Sequence, residues 1–433
     1  MLRTIDLRGR ELSTAELLAI VPRARAAREL ALTTARTIVD DVTARGEAAL
    51  RDQAEQFDGC RGHAIRVPQS HLDEALRDLS GEVRGALEEA ISRVRVASAA
   101  QVPTSTTTEL EPGAQVVQRW QPVRRVGLYV PGGKAVYPSS VVMNVVPAQV
   151  AGVSEVVVAS PPQRDFDGRI HPVILAAAKL LDVSEVYAMG GAGAIGALAH
   201  GVPDVGLAPV DVVTGPGNNF VAAAKRVVSG IVGTDSEAGA TEILIVADAE
   251  ANAGLVAADL ISQAEHDEQA SAVLVTDSVE LAHDVALELE KRVGHTRHSE
   301  RVAVALAGEQ SAIVLVDNHE TAAAFSNAYA PEHLELHLVE PRVEDFVNAG
   351  AIFVGQDSPV SLGDYLAGSN HVLPTGGQAR YAAGLSAMTF LRPQQVISYD
   401  HAALSAVRAK IVSLANAEAL PAHGEAVDAR FEG

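Results

Sequence analysis

Cysteine is nearly missing from this sequence: Cys60 stands alone among 433 residues. One thiol permits no intrachain disulfide and no thiolate zinc cluster. Basic residues are also in short supply, 34 Lys and Arg against 55 Asp and Glu, for a formal net charge of −21. A nucleic-acid or acidic-membrane partner would demand a basic face, so neither is expected, although solubility alone accounts for such a balance. Long apolar runs are absent too. The most apolar region, 141–159, is broken by Asn144, Pro147, Gly152 and Glu155, and no membrane span is expected. The first eight residues lack the uninterrupted apolar core of a signal peptide, which makes a soluble cytoplasmic protein the expectation. Composition offers no sign of disorder, with 48% hydrophobic and 21% charged residues. The length suits two or three cores better than one.

Amphipathic patterns rich in Ala, Arg and Glu predict helices over 14–56 and 70–100. A loop is expected over 101–113, with strands from Ala114 to Trp120 and from Arg125 to Val130. Beyond Pro131 short apolar runs alternate with helical stretches: strands near 155–159, 185–189 and 210–214, then a second series from 243 to 354 that includes a helix over 343–349. This alternation predicts mostly parallel sheets with helices on both faces, as two α/β domains flanking a cleft. Residues 386–398 read as strand-like and 400–417 as helical, followed by a polar tail.

Three glycine-rich turns follow strands in the middle of the chain. Gly191-Ala192-Gly193-Ala194-Ile195-Gly196 fits the dinucleotide fingerprint, with Asp211 twenty residues on. The plainer reading is a helix start that needs small residues for close packing, and Asp211 opens the next strand instead of ending it. Gly215-Pro216-Gly217-Asn218 sets backbone N–H groups and an amide at a helix start, suited to an anion or a ribose. Tyr129-Val130-Pro131-Gly132-Gly133 puts an aromatic ring at a strand's carboxyl end, or simply a half-buried strand residue.

Ala330-Pro331-Glu332-His333 places a carboxylate beside an imidazole. On regular structure the two would diverge, but after Pro331 both can face one cleft, which suits paired proton transfers. A solvated turn also commonly holds such a pair. Gln263 and His266, three apart, share a helix face. Asp364 and His371 fall in a glycine-rich loop, and Glu418 and His423 in the tail. An oxygen and nitrogen set of Gln, His, Asp and His suits a borderline divalent ion such as zinc.

These residues resemble the histidinol dehydrogenase family. The matching motifs run in family order: Gly127 to Gly133, Gly215 to Asn218, Ser262-Gln263-Ala264-Glu265-His266, Glu332-His333, Gly363-Asp364-Tyr365, Ser369 to Gly377, and Glu418 through His423. The resemblance implies a homodimeric, zinc- and NAD-dependent enzyme that oxidises L-histidinol to L-histidine through the bound aldehyde. It implies Gln263, His266, Asp364 and His423 as ligands to one Zn2+ per subunit, with His423 supplied by the partner across a shared active site. It makes Glu332 and His333 the proton-transfer pair. Thr241, Gln263, His266, His333, Asp364, Glu418 and His423 would line the substrate site with His371 beside them, and Tyr129 and Asn218 would contact NAD.

The expected fold is two Rossmann-like α/β domains: 26–128 with 242–380, carrying the zinc and acid–base residues, and 129–241, carrying NAD. An N-terminal helical segment, 1–25, precedes them, and a C-terminal arm, 381–433, reaches the partner. The sequence departs from the family pattern at Gly193, where Gln is usual, and at Ala240 and Thr241, where Pro and Ser are common. Two other readings are a relative that oxidises another polar alcohol, such as sulfopropanediol, and a non-catalytic metal- or nucleotide-binding protein.

Overall fold

The computed structural model describes residues 2–23, 28–132, 135–236 and 239–432. Gly133, Glu237 and Ala238 lie outside the described residues. In chain order the strands are β1 Arg3–Asp6, β2 Thr106–Glu111, β3 Ala114–Pro122, β4 Arg125–Tyr129, β5 Glu155–Ser160, β6 Glu185–Ala188 and β7 Val212–Thr214. There follow β8 Gly233–Thr234, β9 Glu242–Ala247, β10 Ser271–Thr276, β11 Ala312–Leu315, β12 His333–His337, β13 Ala351–Val354 and β14 Leu391–Tyr399.

Two of the sheets are parallel throughout. The larger runs β1-β11-β10-β9-β12-β13. Its central strands β9, β10 and β12 are buried along their whole length because crossover helices cover both faces. The smaller runs β6-β5-β4-β7-β8. Its order reverses between β4 and β7, and such a switch point opens a crevice at the carboxyl ends of the two strands. That crevice faces the amino ends of β9 and β12, so the two α/β lobes enclose one cleft.

Several expectations are corrected. Residues 1–25 are not all helical: Arg3–Asp6 forms a parallel edge strand on β11, and the helix Thr14–Ile20 follows, its start fixed by a Ser13/Glu16 capping box. β1 is mostly exposed, so it shows no apolar run. The helices within 26–128 do not join the six-stranded lobe. Arg28–Arg45 packs on Gly191–His200 and Asn219–Val228, Gln69–Asp78 on Pro172–Leu180, and Gly81–Ala100 on Pro138–Ala151, all helices of the five-stranded lobe. Ala31, Ala35, Val39 and Val42 accordingly share a core with Ile195, Leu198 and Val221. β4 begins the smaller sheet at Arg125, four residues before the expected boundary. The predicted helix over 343–349 is only a short turn of 3-10 helix, Val343–Asp345.

The expected loop 101–113 contains β2, which pairs antiparallel with β3, and β3 pairs with β14. Residues 102–122 and 391–433 thus build a compact unit of their own, completed by the helices His401–Ala417 and Pro421–Asp428. The C-terminal segment is therefore half of a unit whose other half lies far earlier in the chain, and 381–390 belongs with the first unit. Among the described residues no helix is long and apolar enough to cross a membrane.

Candidate active site

The helix His319–Tyr329 ends on Ala330, a non-glycine residue held in the left-handed region at φ 50°. Pro331 follows and β12 begins at His333, so the turn lets the adjacent Glu332 and His333 side chains both line the cleft. Both are buried, at 6% and 4% exposure. Glu332 Oε2 accepts from the Thr241 hydroxyl at 2.6 Å and from the Glu242 backbone N–H at 2.9 Å. His333 Nδ1 lies 3.1 Å from the Glu242 carbonyl oxygen. A carbonyl can only accept, so Nδ1 carries the proton and Nε2 is the basic atom. Burial pushes the Glu332 carboxyl well above the usual carboxylate range, against the pull of the Thr241 and Glu242 hydrogen bonds. Burial lowers His333, with Asp364 opposing, so the imidazole is neutral at physiological pH.

Around this pair gather His266, Asp364 and His371, all on the cleft wall. Asp364 is not in a loop: it sits on the helix Val360–Tyr365, where Gly363 allows the ring of Phe353 an approach that a Cβ would block at 2.5 Å. His371 Nδ1 donates to the Asp364 carbonyl at 2.9 Å, which leaves Nε2 to the Ser140 hydroxyl at 3.3 Å. Burial lowers His266 and His371, while the Asp364 carboxylate raises both. Gln263, buried in the last turn of Ala253–Ala264, donates its amide to Thr241 Oγ1. Gln263, Thr241 and Glu332 thus form one hydrogen-bonded chain. Neutral imidazoles around one carboxylate, with a carboxamide close by, are a donor set that fits a divalent cation.

The opposite wall comes from the switch point. Tyr129 ends β4 with its ring buried, and its hydroxyl accepts from the Gly191 N–H at 3.1 Å. Burial pushes this phenol up to about 12, so it stays a neutral hydroxyl. Asn218 caps the helix Asn219–Val228, its Oδ1 accepting from Phe220 and Val221 N–H at 3.0 and 3.2 Å. Its amide oxygen is therefore committed to the helix start. Gly215 has φ 118°, and a Cβ there would lie 2.0 Å from the Tyr129 carbonyl oxygen. Buried Lys225 and Asp235 pair at 2.5 Å and both grip Gly215, through its carbonyl and its N–H. Gly215→Ala is expected to destabilise the protein by about 2 kcal/mol or more, read as a lower urea midpoint.

The Gly191–Gly196 helix start follows the plainer reading. Gly196 meets the Val39 Cα at what would be 3.2 Å from a Cβ, so the small residues admit a neighbouring helix. At Gly193 a Cβ would lie 1.9 Å from Gln53 Oε1, and the Gln53 side chain fills the space that a residue larger than glycine would need.

Glu418 and His423 belong to the other compact unit. Glu418 closes the helix His401–Ala417, and His423 lies exposed in the first turn of Pro421–Asp428. The residues lining the cleft all come from the first unit. A separate cluster, Asp259, Glu335 and His337, also brings potential metal donors within 4.8 Å of one another. Within it His337 Nε2 lies 3.3 Å from Glu335 while buried Nδ1 has no hydrogen-bond partner among the described residues, and burial with Glu335 nearby pushes Asp259 up to about 7. Sequence reading passed over Ser140, Tyr137 and Gln269 on the cleft wall. It also passed over Glu242, whose part is played by backbone atoms that every residue has.

The cleft encloses about 1590 Å³, open solvent at its mouth included. A switch-point crevice on one lobe, opposed by a neutral imidazole base and a cation donor set on the other, defines a two-lobed α/β dehydrogenase. The family model for histidinol dehydrogenase matches residues 21–431. A histidinol dehydrogenase of Leifsonia xyli subsp. xyli is 61% identical over 433 residues, covering 100% of this chain and 99% of the relative. One of Mycolicibacterium smegmatis is 56% identical, covering 99% and 97%. The crystal structure of histidinol dehydrogenase from Elizabethkingia anophelis superposes with a TM-score of 0.91 at 31% identity, covering 100% of this chain and 98% of that one. The chain belongs to the histidinol dehydrogenase family.

Proposed function

We propose that this protein oxidises L-histidinol to L-histidine through bound L-histidinaldehyde, reducing two NAD in turn. The observation that carries the reading is the cleft-lining pair Glu332 and His333, with His333 locked as an Nδ1–H tautomer by Glu242. Gln263, His266 and Asp364 would hold one Zn2+ per subunit together with His423 of a second copy, in a homodimer that shares its active sites. Tyr129 and Asn218 would contact NAD at the switch point. When bound, the cation supplies a fixed anchor for the imidazole and amine of the substrate, and NAD supplies the hydride acceptor.

The chain's own residues do the proton work. His333 Nε2 takes the hydroxyl proton as the carbinol carbon gives up its first hydride. Water then adds to the aldehyde: Glu332, aimed by Thr241 and the Glu242 N–H, takes one proton of the water while protonated His333 returns its proton to the carbonyl oxygen, giving the hydrate. His333, neutral again, takes a hydroxyl proton of the hydrate as the second hydride departs, which leaves the carboxylic acid. Burial of both groups keeps the aldehyde from bulk water.

The test is NADH formation with L-histidinol, compared with sulfopropanediol and simple alcohols. The expected result is turnover of histidinol alone. Preference for sulfopropanediol would make the chain a relative with another substrate, and no turnover of any alcohol would make it a binding protein.

A further inference from the structure

We infer that Arg23 and Glu242 form a buried positioning pair that sets the Glu332–His333 turn, an inference that rests on the roles proposed for those two residues. Arg23 lies outside the cleft, and its side chain is only 10% exposed. Its Nε lies 2.8 Å from Glu242 Oε1 as an ion pair without hydrogen-bond alignment, and its Nη2 donates to Oε2 at 3.2 Å. The same Nη2 donates to the carbonyls of Tyr329 and Ala330, the second at 3.2 Å, and the guanidinium lies 4.0 Å over the Tyr329 ring. The two N–H groups of Nη2 are shared among the carboxylate and both carbonyls while the guanidinium plane covers the ring, a combination an ammonium does not reproduce. Those carbonyls flank the left-handed Ala330, a conformation that alanine holds only when its surroundings impose it.

Glu242 is the other half of the device. Its carboxylate also accepts from the Gly376 N–H at 3.0 Å. Its backbone N–H aims Glu332, and its carbonyl fixes the His333 tautomer. One guanidinium thus ties the strand that carries both backbone contacts to the turn that carries both side chains. Displacing reacting groups by about 1 Å costs on the order of 10²-fold in rate, with little change in substrate affinity.

The test uses Arg23→Ala and Arg23→Lys in the full-length protein, with histidinol and NAD. Arg23→Ala is expected to lose about 10²-fold in kcat while KM for histidinol stays within about threefold of wild type. Millimolar guanidinium chloride should return part of the loss, because Arg23, Glu242, Asn219 and Gly376 line a surface pocket, about 710 Å³ with the open solvent at its mouth included, that gives the ion a route. Arg23→Lys keeps the charge without the fork and should lose about tenfold in kcat. Wild-type kcat in either variant, or a loss in Arg23→Ala that guanidinium leaves untouched, overturns the inference. Should Arg23→Ala fail to fold, by circular dichroism, the kcat of Arg23→Lys decides alone. Absence of histidinol turnover in the wild type overturns the proposed function itself, and this inference with it.

Discussion

Mixing two inactive variants, His333→Asn and His423→Asn, is expected to restore about one quarter of wild-type activity after subunit exchange. Each variant alone should turn histidinol over at below about 1% of the wild-type rate, because one lacks the proposed base and the other the proposed cation ligand. If His423 completes the site of the neighbouring subunit, a mixed dimer holds one site with both residues intact and one with neither. Random pairing makes half the dimers mixed, and half of their sites are competent. If His423 served its own subunit, both sites of a mixed dimer would lack one residue and the mixture would stay inactive. The arrangement of the chain motivates the experiment. His423 is exposed on a unit built from 102–122 and 391–433, and the cleft is lined by the other unit alone.

The second large effect separates proton transfer from cation binding. His333→Asn should lower kcat by about 10²- to 10⁴-fold while bound metal stays at one ion per subunit, measured by elemental analysis. His266→Asn should instead lower the metal content, with activity falling in proportion. The contrast follows from the surroundings of the two rings. His333 Nδ1 is tied to a backbone carbonyl inside the protein, whereas His266 lies half-buried on the cleft wall within the field of Asp364. Metal lost from His333→Asn, or retained in full by His266→Asn, would reverse the two assignments.

Much of the site could be read from the sequence because its local chemistry is short-range. Pro331 announces the turn that turns Glu332 and His333 to one side, whereas the helix face expected to carry both Gln263 and His266 is not formed, because Ala253–Ala264 ends before His266. The alternation of short apolar runs with helices announces parallel sheets. What escaped was long-range. The amphipathic helices of 28–100 show an apolar face, but nothing in that face says which sheet it will cover, and Val39 meets Gly196 only in the folded chain. β3 pairs with β14 across more than 250 residues, so neither strand signals its partner. β1 is an exposed edge whose composition resembles a loop. Glu242 escaped for another reason: its contribution to Glu332 and His333 is made by an N–H and a carbonyl, which no side chain advertises. Gly193 read as a loss, yet in the structure the Gln53 side chain fills the space above it.

One stoichiometry tests the proposed chemistry most directly. Purified protein is given limiting L-histidinol and excess NAD, and the NADH formed at completion is counted by its absorbance. Retention of the aldehyde through both oxidations predicts two NADH for each histidinol consumed, with histidine as the product. A single NADH with free aldehyde in solution, or no NADH at all, would contradict it.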